Sequence, residues 1–285
     1  MKQQQGFTLI ELMISGTIGI FVITGLLNLF ITTNKTITLS DAMSRNQETG
    51  RFAMDYMTTF LRQAGYSEDS TQPLSPIFVS TGSTDNTLIN CTDPAQAQAC
   101  SVNNPENEPI LGDRLSIPFN IGGNAGDESR ACTGTIIGGT ANGPQRLVTV
   151  FWVSSDEDTL NELRCRIFDR DANGWLDNPV SIINNVELFE FQIGVSQLYS
   201  DPHVSQYINV GSYGTQDITP DRIRSIRIAL LTTSQETDHA SRINSTSKER
   251  IYNLLDAPLY SVTDGNLRNI FMNTIELPNM IGGAM

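Results

Sequence analysis

An apolar segment near the N-terminus constrains the fold of this 285-residue chain more than any other feature. Residues 7–31 read FTLIELMISGTIGIFVITGLLNLFI, and Glu11 is the one ionisable residue among them. A helix needs about 20 apolar residues to cross the hydrocarbon core of a bilayer, and residues 12–31 supply that length. The segment therefore predicts a transmembrane helix over residues 7–31.

The flanks of this segment predict its topology. Lys2 is the only charged residue before it, and positive residues favour the cytoplasmic side of a membrane. No second apolar run of comparable length follows Thr32. We therefore expect a single-pass protein with a short cytoplasmic leader and a large head on the opposite side of the membrane.

Two other interpretations of the segment are a cleaved secretory signal and a plain signal anchor. A secretory signal would have a shorter apolar core and a small-residue cleavage site, which residues 32–34 do not provide. A plain anchor does not explain Glu11. A carboxylate within a span costs roughly 2.5–3.5 kcal/mol, and such residues usually have a function.

Residues 6–13, GFTLIELM, resemble the N-terminus of type IV pilins and of type II secretion pseudopilins. The resemblance rests on a short polar leader, a glycine before a phenylalanine, a glutamate four residues later and an uninterrupted apolar helix. It implies that residues 1–6 are a leader, that a prepilin peptidase cleaves between Gly6 and Phe7, and that Phe7 is then N-methylated. It also implies that Glu11 serves assembly by pairing with the N-terminal amine of a neighbouring subunit.

Residues 32–65 are predicted to continue the helix beyond the membrane as an amphipathic helix. Residues 32–38 contain several β-branched side chains and have a weak helix propensity. Further along, apolar residues recur with helical spacing. They are Phe52, Ala53, Tyr56, Met57, Phe60, Leu61 and Ala64. Gly65 stands where a glycine would end the helix.

The remaining residues, 66–285, are predicted to form a β-rich head. Residues 67–112 are rich in Ser, Thr, Asn, Gln and Pro, which predicts a loop insertion. Six segments combine β-branched and aromatic residues between turn signals, which predicts strands. They are residues 114–119, 147–153, 162–168, 186–195, 223–232 and 269–277. The predicted fold class is α+β, a long N-terminal helix packed on an antiparallel sheet, as in pilins.

Several blocks of the head resemble minor pilins of the PilW family. They are residues 51–66, 132–134, 163–165, 186–192, 223–231 and 268–277. The resemblance implies a structural subunit that primes or supports type IV pilus assembly, with roles in twitching motility, attachment and DNA uptake. The implied partners are other minor pilins, the major pilin, the prepilin peptidase and the assembly platform of the bacterial inner membrane. The implied location is the inner membrane with the head in the periplasm, and then the pilus.

Two alternatives stay open at this point. A J-type pseudopilin of type II secretion shares the N-terminal pattern, although its head is usually shorter. A tip adhesin would carry a ligand-binding cleft within residues 67–145. An enzyme is not expected, because the chain lacks a G-x-S-x-G elbow, a P-loop, a dinucleotide-binding glycine motif and an H-E-x-x-H motif.

The charge balance argues against nucleic acid as a direct partner. Lys and Arg number 18 against 31 Asp and Glu, so the formal net charge is −13 and repels phosphate backbones. The three neighbouring arginines Arg222, Arg224 and Arg227 are predicted to lie on a solvated sheet face with local salt bridges. The two histidines, His203 and His239, are too few for a multi-histidine metal centre and are predicted to lie in surface loops.

All four cysteines follow the span, in a compartment where disulfides persist. Their even number predicts two disulfides, and the sequence alone leaves three pairings open. Cys132 and Cys165 lie within the blocks that resemble the PilW family, which favours a Cys132–Cys165 bond. A Cys91–Cys100 bond would then close a short loop within the insertion.

Residues 169–177, DRDANGWLD, suggest the one cofactor that the sequence indicates, a calcium ion. Oxygen ligands stand at five positions of an EF-hand-type loop. They come from Asp169, Asp171, Asn173, the Trp175 carbonyl and Asp177. The bidentate glutamate of such loops is replaced by Val180, so Glu187 or Glu190 would have to complete the site. The alternative is an Asn-Gly hairpin turn with solvated aspartates.

Overall fold

The computed structural model of the protein contains one long helix followed by a head of antiparallel sheets. It describes residues 8–66, 75–77, 97, 99–103, 111–121, 128–138, 145–154, 161–213, 218–234, 249–264 and 266–281. Most of the predicted insertion, together with residues 1–7, therefore lies outside the described residues.

Helix α1 (Leu9–Leu61) is continuous over 53 residues. At 1.5 Å per residue it is about 80 Å long. The stretch 32–38, where the sequence predicts weak helix propensity, stays helical. There the hydroxyls of Thr32, Thr36 and Thr38 donate to carbonyls one turn earlier at 2.8–2.9 Å, so these β-branched residues satisfy their own polar groups within the helix.

The C-terminal half of α1 packs on the head through a face that the periodicity largely predicts. Ala53, Met57 and Leu61 are fully buried. Phe52 differs from the prediction, because 51 % of its surface is exposed. The reason is that Met54, one position off the predicted stripe, is buried in its place. After Leu61 the chain continues as tight turns to Gly65, whose positive φ of 75° suits a glycine.

Thirteen strands lie within the described residues of the head. In chain order they are β1 (Leu115–Ile121), β2 (Glu128–Arg130), β3 (Ile136–Gly138), β4 (Gln145–Ser154), β5 (Glu162–Asp169), β6 (Gly174–Trp175), β7 (Val180–Asn184), β8 (Val186–Val195), β9 (Gln206–Ile208), β10 (Ile223–Thr233), β11 (Arg250–Tyr252), β12 (Tyr260–Val262) and β13 (Arg268–Glu276). Short helices α2 (Val210–Tyr213) and α3 (Pro278–Ile281) and a 3₁₀ turn (Pro220–Arg222) complete the described elements.

Two larger sheets carry the head. The first sheet has the order β1-β4-β5, and both β6 and β7 pair with β5. The second sheet has the order β13-β10-β8-β9. All these strand pairs are antiparallel, so the predicted α+β class is confirmed. The hairpins β2-β3 and β11-β12 lie outside the two sheets.

The six predicted strands correspond to β1, β4, β5, β8, β10 and β13, with ends that differ by at most two residues. The strands that the sequence does not predict have two to five residues each. A strand of that length contains too few residues for its alternation of apolar and polar side chains to be recognised. Tertiary pairing defines these short strands.

The main core lies between α1 and the inner faces of both sheets. Met57 and Leu61 of the helix meet Phe151 of the first sheet and Phe189 and Phe191 of the second, and all five are buried. Along β8 and β10 alternate residues face this core, as the period of two in a strand requires. The helix is thus joined to both sheets by one continuous apolar cluster.

A second, smaller cluster covers the opposite face of the first sheet. Ala99 and Cys100 pack there against Val148, Val150 and Phe168. This part of the predicted insertion is therefore not an exposed polar loop. The guanidinium of Arg114 holds it in place by donating to the carbonyls of Ala97 and Cys100, each at 2.8 Å.

Candidate functional site: the exposed half of the helix and its attachment to the head

The N-terminal half of α1 exposes its apolar side chains. From Leu9 to Ile31 the large hydrophobic residues are at least half exposed, and Phe21 reaches 82 %. This stretch contains the candidate membrane span found among the described residues, and none of that span is buried within the protein. Since exposed apolar surface of this size marks a membrane or protein contact, this half of α1 is the candidate functional site.

Glu11 lies in the first turn of this exposed half. The hydroxyl of Thr8 donates to its Oε2 at 3.4 Å, and its own N–H donates to the Thr8 carbonyl at 3.1 Å. A carboxylate is favourable here because the unpaired N–H groups at a helix start carry partial positive charge. Gly6 and Phe7 lie outside the described residues, so cleavage, methylation and the assembly role of Glu11 stay predictions.

Two residues that the sequence did not single out attach the helix to the second sheet. The hydroxyl of Thr232 donates to the side-chain oxygen of buried Asn46, whose amide donates to the Leu267 carbonyl at 3.4 Å. One turn later, the ring of Phe271 lies against Gly50, where a β-carbon would overlap with it. Asn46 and Gly50 are four residues apart, so they lie on the same face of α1. The sequence shows this spacing, but an asparagine and a glycine do not by themselves indicate that the face contacts a sheet.

A third attachment joins the helix to the first sheet through the predicted disulfide. Cys132 and Cys165 are bonded, with Cα atoms 6.2 Å apart, and both are buried. The phenol of Tyr56 donates to the Cys132 carbonyl at 2.5 Å. Cys100 is also disulfide-bonded, while Cys91, its predicted partner, lies outside the described residues.

The predicted calcium loop is a turn that connects β5, β6 and β7, and its carboxylates bind different partners. Asp169 accepts the backbone N–H groups of Asp171 and Ala172 at 2.8 and 3.0 Å. Asp171 forms a salt bridge with Arg146. These contacts are those of a hydrogen-bonded turn, in which Asn173 adopts the positive φ of 51° that such turns require.

The last carboxylate of the loop also has hydrogen-bond partners outside the loop. Asp177 accepts the Ile167 N–H at 3.1 Å and the hydroxyl of Thr133. The guanidinium of Arg268 donates to the two carboxylate oxygens of Glu187 at 2.5 and 2.8 Å, so Glu187 is paired there and does not complete the predicted calcium site. In the part of the chain that the structure describes, no three His, Cys, Asp or Glu residues form a group able to hold a metal. Calcium binding stays a prediction.

Glu190, the other residue considered for the calcium site, is buried elsewhere. It is 1 % exposed on β8, opposite Ala229 of β10. Burial, together with the nearby carboxylates of Asp113 and Asp256, raises the pKa of Glu190 to about 9. The side chain is therefore a neutral acid at pH 7. In this form it is not repelled by the neighbouring carboxylates of Asp113 and Asp256.

The arginine cluster corrects a prediction. Arg224 is buried rather than solvated, and its guanidinium donates to main-chain carbonyls, among them that of Asp201 at 2.9 Å. Arg222 likewise donates to the Ser196 carbonyl at 2.9 and 3.0 Å. The guanidinium carbon of Arg227 lies 3.5 Å from the ring centroid of Tyr207. Among the described residues these arginines contact carbonyls and an aromatic ring of the head rather than the predicted salt-bridge partners, because carbonyls of the segment that follows β8 have no strand partner and need donors.

The two histidines were predicted to lie in surface loops. His203 lies in an exposed bend, where its backbone N–H donates to Asp201 at 2.9 Å. His239 lies outside the described residues.

Two family models and a solved structure are similar to parts of this chain. The family model of the type IV pilus-assembly protein W matches residues 150–279, and that of the prokaryotic N-terminal methylation motif matches residues 1–27. A type IV-like pilin from Thermus thermophilus is similar in structure with a TM-score of 0.40 and 14 % identity, over 85 % of this chain and 96 % of that one. No curated protein sequence matches. The chain is therefore similar to the PilW family of type IV pilus-assembly proteins over residues 150–279, and its first 27 residues match a prokaryotic N-terminal methylation motif.

Proposed function

We propose that the protein is a minor subunit that primes or supports the assembly of type IV pili, and that it acts as a structural subunit rather than as an enzyme. The observation that carries the proposal is helix α1, of which one half is exposed and apolar and the other half is buried in the head. Such a helix can remain in a membrane or pack among like helices while the head stays in water. The N-terminal methylation motif and the PilW match support the same role.

The proposal includes the partners that this role requires. A prepilin peptidase removes residues 1–6 and exposes the amine of Phe7. The inner-membrane platform then transfers the exposed half of α1 into a helical assembly with the major pilin and other minor pilins. Twitching motility, attachment and DNA uptake follow from pilus formation, and the head is in the periplasm before assembly and in the pilus afterwards.

Deletion and complementation in the native cell test this function. In a strain without substitute minor pilins, deletion should strongly reduce the number of surface pili, and the wild-type gene should restore them. Sheared pili should contain the protein with methylated Phe7 as its first residue, detected by mass spectrometry. Normal piliation after deletion, combined with a loss of type II secretion, would instead assign the chain to the pseudopilins.

A further inference from the structure

Within the described residues, strand β13 lies at an edge of the second sheet. Among the described strands only β10 pairs with it, and the register runs without a break from Arg268 to Glu276. Residues 269–275, NIFMNTI, contain neither charge nor proline. A long, straight, uncharged edge presents a row of main-chain N–H and C=O groups that another strand can pair with.

The other edges of the two sheets are protected by features that β13 lacks. β1 contains Pro118, which cannot donate a hydrogen bond to an added strand. β9 has three residues, and β6 has two. β7 has five residues and is irregular in its register with β5. Within the described part of the chain, β13 is thus the one long edge strand without protection, which is expected of a strand that is covered in an assembly.

A groove lies beside this edge, between β13 and α1. Its volume is about 1040 Å³, and Phe271, Met272 and Asn273 form its strand side. Phe52 contributes an aromatic side chain from the helix, and the exposed fractions of Phe52 and Met272 are 51 % and 53 %. The groove therefore offers apolar contacts for the side chains of an extended segment whose backbone pairs with β13.

The charges of the groove favour a partner other than a second copy of this chain. The helix wall contributes Glu48, Arg51, Asp55 and Arg62, so the wall has no net charge. The whole chain carries −13, and two copies would repel each other at long range. A neutral wall beside an uncharged strand fits an uncharged segment of a different chain. The groove also lies on the same helix whose N-terminal half is proposed to pack in the pilus.

We propose that another subunit of the pilus adds an uncharged, extended segment to β13 and so completes the second sheet. This inference rests on the proposed function, since it takes the partner to be a pilus subunit. The added strand pairs by main-chain hydrogen bonds along β13, and its side chains enter the groove against Phe52. The exposed wall of α1 and the edge of β13 thus act as one interface.

Photo-crosslinking of the full-length protein in its native cell tests this interface. The photoreactive residue p-benzoylphenylalanine replaces either Ile270 or Met272, which are 41 % and 53 % exposed on β13. The control replaces Leu259, which is 66 % exposed outside the two sheets. We expect adducts from both β13 positions, mapped by mass spectrometry to one extended segment of another pilin, and no such adduct from the control.

A substitution on the edge sharpens the test. Met272→Lys places a charge on the exposed face of β13, so it should reduce the adduct at Ile270 about tenfold while the head stays folded. Ile251→Lys, at a residue 60 % exposed on the hairpin strand β11, should leave that adduct unchanged.

Three results would overturn the inference: no adduct at β13, an adduct with a second copy of this chain, or an adduct with a protein that is not a pilin. Immunodetection of the same variants in sheared pili separates the two proposals. Protein present in pili without a β13 adduct refutes the edge-strand interface alone. Protein absent from pili refutes the proposed function together with the interface.

Discussion

Glu190 couples the stability of this head to pH through one buried side chain. Burial and the carboxylates of Asp113 and Asp256 raise its pKa to about 9, from 4.5 for an ordinary glutamate. Unfolding removes this environment, so between these two pH values the folded protein binds one proton more than the unfolded chain. Stability falls with rising pH wherever the folded state binds more protons.

We therefore predict that the free energy of unfolding decreases as the pH rises from about 5 to about 9. Glu190→Gln keeps the neutral form at every pH, so it should be more stable than the wild type at pH 8 by at least ~1 kcal/mol. Chemical denaturation of the full chain in detergent micelles measures this difference. Glu276→Gln, at an exposed residue of β13, serves as the control. Identical pH profiles for wild type and Glu190→Gln would contradict the prediction.

Asp177 gives a second prediction at the residue scale. Its side chain accepts hydrogen bonds from Ile167 and Thr133, so Asp177→Ala should lower the free energy of unfolding by ~1–3 kcal/mol. The loss should be the same with and without millimolar calcium. Asp171→Ala removes an exposed salt bridge with Arg146 and should cost less. A calcium-dependent rise in the wild-type melting temperature that Asp177→Ala abolishes would instead support calcium binding by this loop.

The long helix and the second sheet depend on a close contact between two elements. Gly50 of α1 lies against the ring of Phe271 on β13, and the space there does not admit a β-carbon. In an isolated helix, alanine is more favourable than glycine by roughly 1 kcal/mol. At Gly50 steric overlap opposes that gain, because the helix would have to move away from the sheet.

We predict that Gly50→Ala destabilises the head by ~1–3 kcal/mol. Gly25→Ala is the matched control, because no atom lies within 4 Å of the β-carbon position at Gly25. The double variant Gly50→Ala/Phe271→Leu should recover part of the loss, since leucine leaves more room above the strand. Thermal unfolding of the three variants tests the prediction, and an unchanged or higher melting temperature for Gly50→Ala would refute it.

At the scale of the whole molecule, the exposed half of α1 links the head to its proposed assembly. Glu11 has the one ionisable side chain in residues 7–31, and its removal makes membrane insertion easier rather than harder. A defect of Glu11→Ala therefore cannot result from failed insertion. It would reflect the loss of a partner for the amine of a neighbouring subunit.

We predict that Glu11→Ala remains in the membrane fraction but is depleted from pili at least about tenfold, since loss of a buried ion-pair partner costs several kcal/mol. Quantitative immunoblots of membranes and sheared pili measure the two pools. Asp41→Ala, further along the same helix and outside the groove, serves as the control for a lost carboxylate. Equal amounts of wild type and Glu11→Ala in pili, in a strain without substitute minor pilins, would refute the assembly role of Glu11.

The sequence by itself determined the features that depend on local patterns. An apolar run of span length, a leader with the G-F-x-x-x-E pattern, and β-branched and aromatic residues between turn signals predicted α1, the family and the six long strands. The Cys132–Cys165 bond was predicted from blocks that resemble the family, and the structure confirms it. These signals are readable because each depends on the spacing of residues along the chain.

Only the tertiary structure decided the features that bring distant residues together. The burial of Arg224, the exposure of Phe52 and the separation of the loop carboxylates each differ from or go beyond the local pattern. The packing of Gly50 on Phe271 joins residues more than 200 positions apart, and the edge position of β13 depends on the order of the described strands in its sheet. Neither property exists until the chain has folded, because burial and strand order depend on which surfaces meet and not on the residues next to each other in sequence.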